Sequence, residues 1–124
     1  MYLIGNSMGG FFATYLVETY GHRAVLVNPA VGLHYYLGIN SNYHSGKEWL
    51  FEPHYVEEYH RWDCLNIGNK HCYHVLLQAG DEVLDYRHAE LRYRGCSVSV
   101  EDGGDHSFTN FGDHLDDIYR FLMA

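Results

Sequence analysis

Ser7, Asp81 and His106 follow one another along the chain as nucleophile, acid and base. A serine hydroxyl attacks poorly unless a base takes its proton as it does so. An imidazole supplies that base through one ring nitrogen and afterwards protonates the leaving group. A carboxylate that accepts from the other ring nitrogen fixes the tautomer and stabilises the imidazolium. The chemistry such a set performs is acyl transfer through an acyl-enzyme.

Ser7 carries the strongest local signal. It sits in Gly5-Asn6-Ser7-Met8-Gly9, a G-x-S-x-G pattern with a further glycine at Gly10. The apolar run Tyr2-Leu3-Ile4 before it reads as a buried parallel strand, and Phe11 to Tyr20 after it has helical length and ends at Gly21. Strand, sharp turn and helix are the context a nucleophile elbow requires. A serine in so tight a turn has backbone crowded on both sides, and glycine at the flanking positions relieves it. The turn also aims the Met8 N–H, at a helix N-terminus, toward a developing oxyanion.

The remaining elements place the other two residues. Ala24–Val27 reads as a second strand stopped by Asn28-Pro29, Tyr73–Gln78 as a third, and Cys96–Val100 as a fourth. Helices are expected over Ser7–Tyr20, with Phe12, Leu16 and Tyr20 on one face and Ala13 and Val17 beside them, from Asp85 to about Arg94, and from about Asn110 to Met123. In the last of these Phe111, Leu115, Ile118 and Leu122 recur at helical spacing. Strands alternating with helices imply an α/β fold with a parallel sheet. Chemistry in such a sheet lies beyond the carboxyl ends of the strands. Ser7 follows the first strand, Asp81 the third and His106 the fourth, so all three are expected at one rim.

Rivals for each role have ordinary readings. Asp85 reads as a helix cap, and Glu82, next to Asp81, is expected to point elsewhere. Of the nine histidines besides His106, His71 and His74 lie at the wrong end of the third strand, and the other seven fall in helices or in the segment 31–70. That segment, within a single domain spanning 1–124, is rich in Tyr, His, Asn and Gly and shows no clear strand alternation. A helix is expected over Glu52–His60. Two readings stay open for it: a lid-like insert, far longer than an ordinary loop, or a peripheral helical hairpin. As a lid it would shape an acyl pocket with Tyr35, Tyr36 and Trp49.

Composition narrows the partners. Sixteen carboxylates against eight Lys and Arg give a net charge of -8 with no basic run, which argues against nucleic acid. No apolar stretch approaches the ~18–20 residues of a membrane span, and no signal segment is expected before the first strand. Three cysteines at irregular spacing suit reduced thiols and a cytoplasmic setting. His71-Cys72-Tyr73-His74 has metal-ligand composition without metal-ligand spacing, and no Lys follows the glycines as in a phosphate loop, so neither a metal nor a cofactor is expected.

The chain resembles the YqiA-type esterases, small α/β-hydrolases, nearly end to end. The resemblance is carried by Gly5–Thr14, by Val27-Asn28-Pro29-Ala30-Val31, by Leu77–Tyr86 and by Glu101–Phe108. It implies hydrolysis of carboxylic esters or acyl thioesters without a cofactor, with the catalytic roles on Ser7, Asp81 and His106. It also implies a departure. Proteins of this family carry earlier strands and a His-Gly loop that donates a second oxyanion N–H, so this chain reads either as an N-terminally truncated form or as a minimal one. The four strands present are neighbours in the family's strand order. The Met1–Gly5 strand then becomes an apolar edge, which invites self-association. Loss of one oxyanion donor typically costs ~10²–10³ in kcat, so a weak esterase is expected.

Overall fold

The structure is a computed structural model; it describes residues 1–32, 38–41 and 47–124, and the side chains of 38–41, 49 and 51 fall outside that description. Four parallel strands form the main sheet: β1 (Tyr2–Asn6), β2 (Arg23–Val27), β5 (Tyr73–Gln78) and β6 (Ser97–Glu101), in the order β1-β2-β5-β6. β3 (Gly38–Ser41) and β4 (Glu48–Phe51) make a separate antiparallel hairpin. The helices are α1 (Met8–Tyr20), α2 (Pro53–His60), α3 (Tyr86–Arg92) and α4 (Leu115–Met123). This is the parallel α/β sheet that the alternating pattern implied, and its four contiguous strands fit the α/β-hydrolase-like fold that the family resemblance implied.

β2 and β5 explain the core. All six residues of β5 and four of the five in β2 are buried, as central parallel strands covered on both faces must be. Ala24, Leu26, Tyr73, Val75 and Leu77 face α1 and α3 through Ala13, Val17, Ala89 and Tyr93. Val25, Val27 and Leu76 face α4 through Ile118 and Leu122. Thr14 Oγ1 and the Tyr93 hydroxyl share a 2.7 Å hydrogen bond, joining α1 to the end of α3. On the other face His74 bridges β6 and α4, with Nδ1 2.7 Å from Ser97 Oγ and Nε2 2.7 Å from Asp117 Oδ2.

The first helix turns a different stripe inward from the one its sequence suggested. Gly10, Phe11, Ala13, Thr14 and Val17 are buried, while Phe12 and Tyr20 are 41% and 65% exposed. Small residues at 10 and 13 let the helix lie close against the sheet, and that closeness, not side-chain size, selects the face. In α4, likewise, Leu115 is exposed, and the expected long helix begins as a 3-10 turn, Phe111–His114. The segment 31–70 holds the β3–β4 hairpin, which the lack of alternation hid, and a helix within the expected range.

The close fit of α1 on β1 is written in two of the elbow glycines. A Cβ on Gly5 would lie 2.5 Å from the Gly9 carbonyl oxygen, and one on Gly10 would lie 2.5 Å from Pro29 Cβ. A Cβ on Gly9 would meet nothing within 4 Å. The requirement for glycine therefore falls on Gly5 and Gly10 but not on Gly9. Urea unfolding should show Gly5→Ala and Gly10→Ala destabilised by about 1–3 kcal/mol through overpacking. Gly9→Ala should be neutral or stabilising by up to about 1 kcal/mol through helix propensity.

Candidate active site

Ser7 occupies the N-cap of α1 at φ 56°, ψ -121°, a conformation L residues rarely adopt. Main-chain bonds hold it there. Its N–H donates to Val27 O (3.2 Å), and its carbonyl accepts from Gly10 N (2.9 Å) and Ala30 N (2.9 Å). Its hydroxyl makes no capping bond to the helix. Met8, the first residue of α1, has an N–H with no intrahelical acceptor, as the opening turn of any helix does. Its side chain packs on Phe11, Ala30 and Leu84.

Asp81 and His106 meet. His106 Nδ1 lies 3.1 Å from both carboxylate oxygens of Asp81. The Asp81 side chain is 2% exposed, and its Oδ1 also accepts from the N–H groups of Val83 and Leu84, each at 2.9 Å. Two main-chain donors and one ring nitrogen thus fix the carboxylate in place. Asp85 is committed elsewhere: it caps α3 by accepting from Arg87 N, and the Arg87 side chain grips it so that its carboxyl is lowered to about 2. Glu82 does not turn away. Its Oε2 accepts from the His106 main-chain N–H at 3.1 Å, gripping the loop and not the ring.

A buried polar framework ties these loops together. Asn28, at φ 42° and 2% exposed, donates through Nδ2 to the carbonyls of Asp105 (3.0 Å) and His106 (3.2 Å) and accepts at Oδ1 from Gln78 N (3.1 Å). Its own N–H reaches Leu76 O. Gln78, 3% exposed, accepts at Oε1 from Asp105 N and Thr109 N and donates to Thr109 O and Glu101. Glycines allow the approach: a Cβ on Gly104 would run into the Gln78 amide, and one on Gly80 into the carbonyl of Gly104. Ser7, Asn28 and Phe108 are three of the four described non-glycine residues at positive φ. Backbone strain collects at this rim, as it does around functional sites generally.

Sequence reasoning missed Asn28, Gln78 and Glu82 as parts of this arrangement. Asn28 reads as a strand stop when only its neighbours in sequence are considered. Gln78 did leave a signal, because a polar residue closing an otherwise apolar buried strand must find partners.

The wall beside Ser7 is apolar. Phe11, Ala30 and Leu84 form a buried cluster with Met8, Val56, Tyr59 and Trp62 packed against it. Tyr59 meets Phe11 edge to face, with ring centroids 6.2 Å apart. Of the residues expected to shape an acyl pocket, Tyr35, Tyr36 and the side chain of Trp49 lie outside the described residues. Among the described residues the aromatic side chains at this wall are Phe11 of α1, Tyr59 of α2 and Trp62 in the turn after it.

Solved structures share this fold at low sequence identity. A protein of Agrobacterium vitis S4 superposes with a TM-score of 0.74 at 19% identity, over 99% of this chain and 61% of that one. The esterase domain of a Rhodothermus marinus protein gives 0.66 at 13%, over 98% of this chain and 59% of that one. Est1E of Butyrivibrio proteoclasticus, solved with ferulic acid, gives 0.59 at 13%, over 98% and 58%. The chain therefore spans about three fifths of the length of these structures. The sequence itself matches the model of the uncharacterised protein family UPF0227 over residues 1–123, and the chain belongs to that family, the one whose YqiA-type esterases its motifs resemble.

Proposed function

We propose that this chain is a serine hydrolase acting on carboxylic esters or acyl thioesters. The observation that carries the reading is the His106–Asp81 contact, with the carboxylate buried and oriented by two main-chain donors, at the rim where Ser7 is held in a strained turn. Ser7 attacks the acyl carbon, His106 takes its proton, and Asp81 fixes the ring so that Nε2 is the basic nitrogen. The Met8 N–H donates to the tetrahedral oxyanion. His106 then returns the proton to the departing alcohol or thiol, and water repeats the sequence to release the acid. No cofactor takes part. The apolar wall of Met8, Phe11, Leu84 and Tyr59 suits an acyl chain, and three free cysteines among the described residues fit a cytoplasmic setting.

A second reading is a non-enzymatic interaction module. The observation that favours it is β1, a sheet edge on which Tyr2 and Ile4 are each 56% exposed. The two readings separate with a fluorophosphonate probe. The enzyme should label, Ser7→Ala should abolish labelling, and p-nitrophenyl butyrate turnover should fall more than about a thousandfold in Ser7→Ala and in His106→Ala. Folded protein that does not label would leave the module. The exposed edge also predicts association: sedimentation should show species larger than a monomer, reduced by Ile4→Lys.

Asn28→Asp probes the framework without changing side-chain size. It keeps the acceptor toward Gln78 but sets an oxygen against the carbonyls of Asp105 and His106. The loss should be about 2–3 kcal/mol in urea unfolding, with kcat lowered more than KM because the loop carrying the base is displaced.

A further inference from the structure

The cations of this acidic chain are not spread evenly. Three of its eight Lys and Arg residues, Lys70, Arg92 and Arg94, line one cavity of about 390 Å³, together with the imidazole of His88 and the amide of Asn66. None of the residues lining it carries a carboxylate. Arg92 is anchored from behind through Nη1, 2.9 Å from both Asp63 Oδ1 and Cys64 O. Its Nε and Nη2 make no hydrogen bond among the described residues. With Asp63 paired to Arg92 and Glu18 bound to the N–H groups of Gly68 and Asn69, Lys70 and Arg94 are left without an ion-pair partner among the described residues, and an anion in the cavity would supply one.

The cavity is not part of the rim described above. Lys70 opens the 3-10 turn Lys70–Cys72 that leads into β5, and Arg94 lies between α3 and β6, so both sit at the amino ends of the strands. Ser7, Asp81 and His106 lie at the carboxyl ends, about 20 Å away along the six residues of β5. Its lip is apolar. Leu65 and Leu91 are 58% and 67% exposed, and Ile67 and Val31 form part of the lining.

We propose that this cavity is a second binding site, for a phosphate monoester with an apolar or aromatic body. A dianionic phosphate matches the two open charges, and the Arg92 and Arg94 forks suit its oxygens. The exposed leucines receive the organic part. Such a ligand would bridge the 63–70 segment to the corner after α3.

Phenyl phosphate is the probe, titrated calorimetrically into the full 124-residue chain in a phosphate-free buffer, with amide chemical shifts followed in parallel. One equivalent should bind, with shift changes centred on residues 65–70 and 88–95. Affinity should fall at least about tenfold in Lys70→Met/Arg94→Met, two exposed side chains, and should weaken with added salt. It should stay within about twofold in Ser7→Ala/His106→Ala. Inorganic phosphate and benzyl alcohol should each bind more weakly than the whole ester. The proposal is overturned by no binding up to about 10 mM, by affinity unchanged in the Lys70/Arg94 variant, or by shifts that map to the Ser7 rim. Inorganic phosphate binding as tightly as the ester would overturn the assigned ligand class.

Discussion

The arrangement depends on one buried amide. Asn28 stands at the carboxyl end of β2, between the strand that leads to Ser7 and the strand that leads to Asp81. Its side chain donates to the carbonyls of two successive peptides, those of Asp105 and His106, and it accepts from the last residue of β5. The neighbouring residues reach the other way: Ala30 N–H binds the Ser7 carbonyl, and the Pro29 ring lies against Gly10. A segment of three residues therefore fixes the elbow and the histidine loop in one frame. Burial makes the frame stiff, because an amide removed from water must keep its partners or lose a large part of its solvation.

Strain and compensation are close together. Ser7 and Asn28 both occupy positive φ, and Phe108, two residues after the base, does so while 3% exposed. Each such residue costs of order 1–3 kcal/mol and persists only where its surroundings over-determine it. Those surroundings are here the main-chain bonds to Ser7, the Asn28 amide and the Gln78 amide. Gln78 deserves equal weight with Asn28, since it clasps both ends of the loop that bears His106, at Asp105 and at Thr109. The base is positioned by polar contacts to its backbone as much as by the carboxylate on its ring.

Two ends of one sheet then have different characters. The carboxyl ends gather carboxylates, an imidazole and a strained serine. The amino ends gather Lys70, Arg92 and Arg94 around a cavity with an apolar lip. Neither grouping follows from net charge, which is -8 for the whole chain. The parallel topology produces both, because every crossover returns the chain to the same edge before the next strand begins.

What the sequence alone determined was local and periodic. The glycine-flanked serine between an apolar run and a helix, the four-strand pattern, the cap at Asp85 and the glycine stop at Gly21, which takes φ 77° in the structure, all rest on near neighbours. So did the order of Ser7, Asp81 and His106 after their strands. What only the tertiary structure decided were matters of distance in space. The sheet-facing stripe of α1 went to Gly10, Ala13, Thr14 and Val17, with Phe11 turned into the cluster of Ala30 and Leu84, and not to Phe12 and Tyr20, because the small residues allow close approach to the sheet. The hairpin within 31–70 had no alternation to announce it. Glu82 found a main-chain N–H, Asn28 and Gln78 found one loop, and Lys70 joined Arg92 and Arg94 at one cavity, each across a gap of about 20 residues or more that the periods of strands and helices cannot report.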